Sequence, residues 1–200
     1  DASSFDQAIA DWNTSKVMGM SNMFNGATAF NQPIGNWDVS SVTNMGYMFR
    51  NATTFNQQIG GWDVSAVRSM SIMFEGADSF NQSISDWNTS KVTTMSYMFS
   101  QTPFNQDIGT WDTSAVTNFN GMFSHTTTFN QNISSWNTNA ATQVKFMFSH
   151  AMSFNQDISD WNISVATNMA NMFGNTPALS NANKGKIHSS FSTNPNWPYD

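Results

Sequence analysis

The hydrophobic positions of this chain recur at long, fixed intervals. Trp12, Trp37, Trp62, Trp87, Trp111, Trp136 and Trp161 step by 25 residues, once by 24. Phe5, Phe30, Phe55, Phe80, Phe104, Phe129 and Phe154 keep the same register, and so do Phe24, Phe49, Phe74, Phe99, Phe123, Phe148 and Phe173. These two columns hold 14 of the 17 phenylalanines, so the repeat itself specifies the aromatic core. The unit reads Phe-Asn-Gln-x-Ile-x-x-Trp, then Asp or Asn, then Val, Thr or Ile, then Ser-x-Val-x-x-Met-x-x-Met-Phe. One copy is a residue short, with Gln101-Thr102-Pro103 in place of a four-residue stretch, which marks that segment as a loop.

A period near 25 falls in the roughly 20–29-residue range of leucine-rich repeats. Ile, Trp three later and Val or Thr two after that mimic the skeleton of such a coil. The spacing therefore predicts a repeat solenoid, leucine-rich-repeat-like, of about seven coils. Short parallel strands at Trp-Asp-Val form one side, with Trp and Val or Thr inward and Asp or Asn outward. The Val-x-x-Met-x-x-Met-Phe segment forms helical or 3₁₀ turns on the other side. Each coil buries its apolar residues only by stacking on its neighbours. Residues 1–173 make the array. Residues 174–200 break the period and form a C-terminal cap segment, with a short helix around Asn181–Phe191 and Pro195 and Pro198 beyond it. The first coil would be covered by upstream residues or by another subunit.

Residues 30–49 and 55–74 carry the motif most fully, and they resemble the BspA-like leucine-rich-repeat surface proteins of bacteria. The same repeat is found in mycoplasma surface lipoproteins. The resemblance spans residues 1–173. It implies a right-handed, parallel-stranded coil, an extracellular or cell-surface location, adhesion or partner binding, and no catalytic residues. Ala141 and Ala166 depart from the repeat Val, and Phe119 and Val144 from the repeat Met, which should loosen packing or change curvature in the last coils without threatening the fold.

Composition narrows the partners. Only 10% of residues are charged, and the net charge is −6. Nucleic acid and anionic membranes both select for Lys and Arg, so neither is expected as a partner. No apolar run reaches membrane-spanning length, so this segment is not expected to insert. The absence of Cys excludes disulfides, zinc-thiolate sites and Cys nucleophiles. An uncharged-polar exterior suits a protein or carbohydrate surface ligand.

The candidate binding face is the column after Trp: Asn13, Asp38, Asp63, Asn88, Asp112, Asn137 and Asn162. On the concave face of a stacked coil it could hold sugar hydroxyls. Adjacent Asp38 and Asp63 could also share Ca²⁺, the only cofactor the sequence suggests. It could equally be a solvated polar face. The column Asn31, Asn56, Asn81, Asn105, Asn130 and Asn155, with Asp6 in the first coil, reads as a structural amide ladder. His125 and His150 occupy equivalent positions and read as neutral loop imidazoles about 5 Å apart. His188 has no evident partner. Trp197 and Tyr199 lie outside the repeat and either cover the cap or touch a ligand.

Polar residues come in equivalent copies, whereas an active site needs one asymmetric constellation, so no enzyme is expected. The leading function is extracellular recognition or adhesion. The alternative is a structural subunit assembling head-to-tail into a filament or matrix. Ice binding by Thr rows is disfavoured, because Thr14, Thr89, Thr113 and Thr138 are assigned inward and Val39, Val64 and Ile163 interrupt them.

Overall fold

The computed structural model describes residues 2–199. The repeats stack in register, and the two Phe columns, the Trp column, Ile and Met merge into one buried core. Phe24, Phe49, Phe74, Phe99, Phe123, Phe148 and Phe173 form a continuous stack with centroids 5.5–5.9 Å apart. The second Phe of each repeat lies almost flat on the first Phe of the repeat that follows, at 3.9 Å for Phe49 and Phe55. Near-parallel rings at the spacing along the column are necessarily offset, which keeps their quadrupoles in favourable register. Ala141, Ala166, Phe119 and Val144 are as buried as the residues they replace.

The leucine-rich-repeat-like solenoid of parallel strands and helical turns is overturned. Among the described residues there is no β-strand and no sheet, and the only helix is α1, Asn181–Phe191. Coils meet instead through single-residue parallel bridges, from Gly19 to Asn44 and onward through Ser69, Thr94, Asn118, Gln143 and Asn168. These bridges fall in the segment expected to be helical. The Trp-Asp-Val segment, expected to be a strand, carries no main-chain bond between coils among the described residues.

Local commitments of the backbone explain the difference. Along the Met segment, alternate amides leave the coil: Met20, Asn22, Phe24 and Gly26 donate to the carbonyls of Asn44, Gly46, Met48 and Arg50. The amides between them close turns at home, Met23 onto Met20, Asn25 onto Asn22 and Ala27 onto Phe24. The chain is therefore tied to its neighbour at every second residue but is too tightly turned to extend as a strand. At the Trp segment the amides of Trp37 and Val42 turn back onto Ile34 and Val39, and Ser40 donates to the Asp38 carboxylate. Such Asx turns compete directly with a ladder.

Side chains bridge the coils where the backbone does not. From Trp37 to Trp161, each repeat Trp indole N–H donates to the Ile carbonyl of the preceding coil, as Trp37 does to Ile9 at 3.1 Å. Thr14, Thr89, Thr113 and Thr138 are buried as expected, and their hydroxyls donate forward to the carbonyls of Asp38, Asp112, Asn137 and Asn162. Those hydroxyls are unavailable to order water. Trp12, with no earlier coil among the described residues, is 53% exposed.

The amide ladder is as read. Asn31 Oδ1 accepts from the Asn56 amide and the Gln57 side chain, and the pattern repeats up to Asn155. There the cap takes over the same acceptor through the amide of Ser180 and the side chain of Asn183. Ser180 is also the N-cap of α1. Ile187 and Phe191 bury one side of the helix, and Asn194 ties the tail to the Ile163 and Ala166 carbonyls. Lys186 pairs with Asp157 at 2.7 Å.

Phe74 is fully buried between Phe49 and Phe99 and flat against Phe80. Phe74→Ala is expected to cost about 3–5 kcal/mol, the usual loss for a core Phe. Urea denaturation followed by Trp fluorescence measures it.

Candidate functional site

All seven residues of the Asp/Asn column are exposed, as their outward assignment requires. Their setting differs from the expectation, because they head turns and do not line a concave strand face. In each coil Oδ1 accepts the amide two residues on, from Ser15 onto Asn13 through to Ser164 onto Asn162. The Ser40 hydroxyl adds a second bond to Asp38 at 2.6 Å. The hydroxyl and then the amide of Ser40, Ser65 and Ser114 hold the carboxyls of Asp38, Asp63 and Asp112 below the usual carboxylate range. Repulsion from Asp38 on Asp63 is a lesser influence than these bonds. The charge crowding that motivated Ca²⁺ is therefore answered within each turn. Among the described residues no three His, Asp or Glu side chains gather as a metal site.

Two other backbone columns were not legible as sites. Each coil places two residues in the left-handed region, four positions apart. One column is Gly26, Asn51, Gly76, Gln101, His125, His150 and Asn175. The other is Asn22, Tyr47, Ile72, Tyr97, Gly121, Phe146 and Asn171. Gly and Asn suit that conformation. Tyr47, Ile72, Tyr97 and Phe146 do not, and strain of this kind costs on the order of 1–3 kcal/mol per residue. The recurrence of Asn and Gly at fixed places was the available signal.

Between these columns, over coils four to six, lies a groove of about 390 Å³. Tyr97 and Phe146 form one wall, and His125 and His150 another. Gly121 makes the first wall possible. A Cβ there would come within 2.2 Å of the Tyr97 ring, which lies against the glycine backbone. The Lys145 ammonium sits 4.4 Å from the Phe146 centroid. The His125 and His150 rings stack at 4.3 Å and 6°, and Ser149 Oγ is 3.0 Å from His150 Nδ1. Burial and then the neighbouring His150 hold His125 below the usual imidazole range, which favours its neutral form. Ser100, Ser124 and Ser149 form the floor.

A second cleft, of about 400 Å³, lies between the last coil and the cap, against Phe173, Leu179, Ile187, Trp197 and Tyr199. Tyr199 and Trp197 cover that end: the Tyr199 hydroxyl accepts the Phe173 amide, and the Trp197 indole donates to His188, giving that histidine a partner.

Comparison with known families fits this repeated geometry. The model of a family described as a Mycoplasma protein of unknown function, DUF285, matches residues 1–103 and again residues 83–186. The chain belongs to this family. The two matches overlap at 83–103, as a repeat array allows, and the second runs into α1. No curated protein and no solved structure matches the chain. No helix among the described residues is long and apolar enough to cross a membrane.

Four coils of this DUF285 chain already carry Asn where three carry Asp, and the turn needs only the Oδ1 acceptor. The triple variant Asp38→Asn, Asp63→Asn and Asp112→Asn is expected to melt within about a degree of the parent at pH 7. Carboxyls held low in the folded state stabilise it above their unfolded value near 3.8, and that stability fades as the pH falls. The triple variant should therefore lose less stability than the parent between pH 4 and 2. Melting curves over that range read the difference. Asp157, held at about 2 mainly by Lys186, remains as a residual acid-sensitive group in both proteins.

Proposed function

We propose that this chain is a non-catalytic extracellular recognition or adhesion module of a bacterial cell-surface or secreted protein. The observation that carries the reading is the division between a uniform core and a varied surface. Phe, Trp and Ile recur almost unchanged inside the stack, while the two left-handed columns change side chain along the array, from Asn22 through Tyr47, Ile72, Tyr97 and Gly121 to Phe146. A rigid array with a variable face is a general platform for partner binding. The resemblance to BspA-like surface proteins points the same way, and so does a surface built from Asn, Ser, Thr and Gln. Recognition by such a surface rests on neutral hydrogen bonding and aromatic contact rather than on charge.

The test is saturable binding of residues 1–200 to immobilised extracellular matrix proteins and polysaccharides, with sedimentation velocity on the same preparation. The reading expects a monomer that binds at least one of them. A monomer that binds none contradicts it. Concentration-dependent growth into long species would favour the head-to-tail structural role instead.

A further inference from the structure

Deepening the recognition reading above, we infer that the groove walled by Tyr97, Phe146, His125 and His150 binds a neutral oligosaccharide, with pyranose rings against the aromatic wall and sugar hydroxyls on Ser100 and Ser124. The floor supplies the first argument. Ser100 and Ser124 are 3% and 7% exposed, and their side chains make no hydrogen bond among the described residues. No side-chain polar atom there is sealed from solvent without a partner. The two hydroxyls therefore open into the groove, where a ligand can satisfy them.

Charge and shape give the ligand's chemistry. The one carboxylate in the lining, Glu75, is held by Arg50 at 2.7 Å. What remains in the lining is hydroxyl, amide and imidazole beside aromatic rings, with the Lys145 ammonium bordering it over the Phe146 ring; a hydroxyl-rich molecule with apolar faces suits it, and Tyr97 is the ring without a cation over it. Tyr97 is braced against Gly121, so one ring is held still for stacking at no further ordering cost. Equivalent floor hydroxyls lie one coil apart, about 4.8 Å where backbones are hydrogen-bonded. An extended pyranose chain also presents hydroxyls once per ring. The volume lies within the range of small-ligand sites.

A peptide fits less well. Strand addition needs free main-chain donors, and the amides of Tyr97, His125 and His150 are spent on Asn120, Ser149 and Gly174 of the next coil.

Calorimetric titration of residues 1–200 with cellohexaose, laminarihexaose, chitohexaose and mannohexaose tests the inference. At least one should bind saturably. Tyr97→Ala and Phe146→Ala should each weaken it about tenfold or more, as loss of an aromatic anchor does. Tyr47→Ala, in the same column but outside the groove, should leave it unchanged. Ser124→Ala should weaken binding without lowering the melting temperature, which keeps the test valid if an aromatic variant folds poorly. Binding that ignores Tyr97, Phe146 and Ser124 overturns the site. No saccharide binding by a chain that does bind a protein ligand overturns the inference but leaves the recognition reading standing. Binding to neither class overturns both.

Discussion

Amides that leave their own coil at every second residue of the Met segment hold this array together. Met45, Tyr47, Phe49 and Asn51 donate to the next coil, while the amides between them close local turns. The main chain is thus satisfied without a sheet, and each coil is fixed against its neighbour at a constant spacing. Everything else uses that spacing. Phe rings stack because consecutive coils present them in register. Trp indoles and Thr hydroxyls can span the other side because their acceptors recur at the same offset. Asn side chains can each serve the next coil's amide for the same reason.

This arrangement requires left-handed residues, and those residues shape the surface. The turn at Tyr47 or Tyr97 points its side chain outward from a tightly bound backbone, so a strained aromatic is presented on a rigid support. Where Gly121 replaces the side chain, Tyr97 folds down into the space and a groove opens beside it. The same feature that lets the backbone cross between coils therefore produces an asymmetric surface over coils four to six. The Asp/Asn column is the opposite case. Its acceptors are largely occupied by its own turns, so regularity there reflects the fold.

The period, the aromatic columns, the inward Thr, the amide ladder and the cap helix were legible because each depends on side-chain position in a register that seven copies repeat. The strand assignment was not. Ile, Trp and Val at spacings of three and two point inward from a tightly turned chain just as they would from a strand. Hydrophobic pattern alone does not distinguish an Asx turn at Asp38 from an extended residue. The Met segment misled similarly, since its spacing of three arises from i to i−3 turns that never continue as a helix. The His125–His150 pair was visible as adjacent loop imidazoles, but the Tyr97–Gly121–Phe146 wall facing it was not, because it depends on backbone handedness at one position per coil.

Amide hydrogen exchange followed by NMR tests the central claim most directly, and the exposed pair Tyr47 and Asp38 gives the cleanest comparison. Tyr47 is exposed, yet its amide donates to Ser71, and Ile72 and Tyr97 donate likewise to Ser96 and Asn120. Asp38, Asp63 and Asp112 are exposed, and their amides have no protein acceptor among the described residues. The account predicts slow exchange at Tyr47, Ile72 and Tyr97 and fast exchange at the three Asp amides. Slow exchange at Asp38 and Val39, with rapid exchange at Tyr47, would restore the strand-sided coil and contradict it.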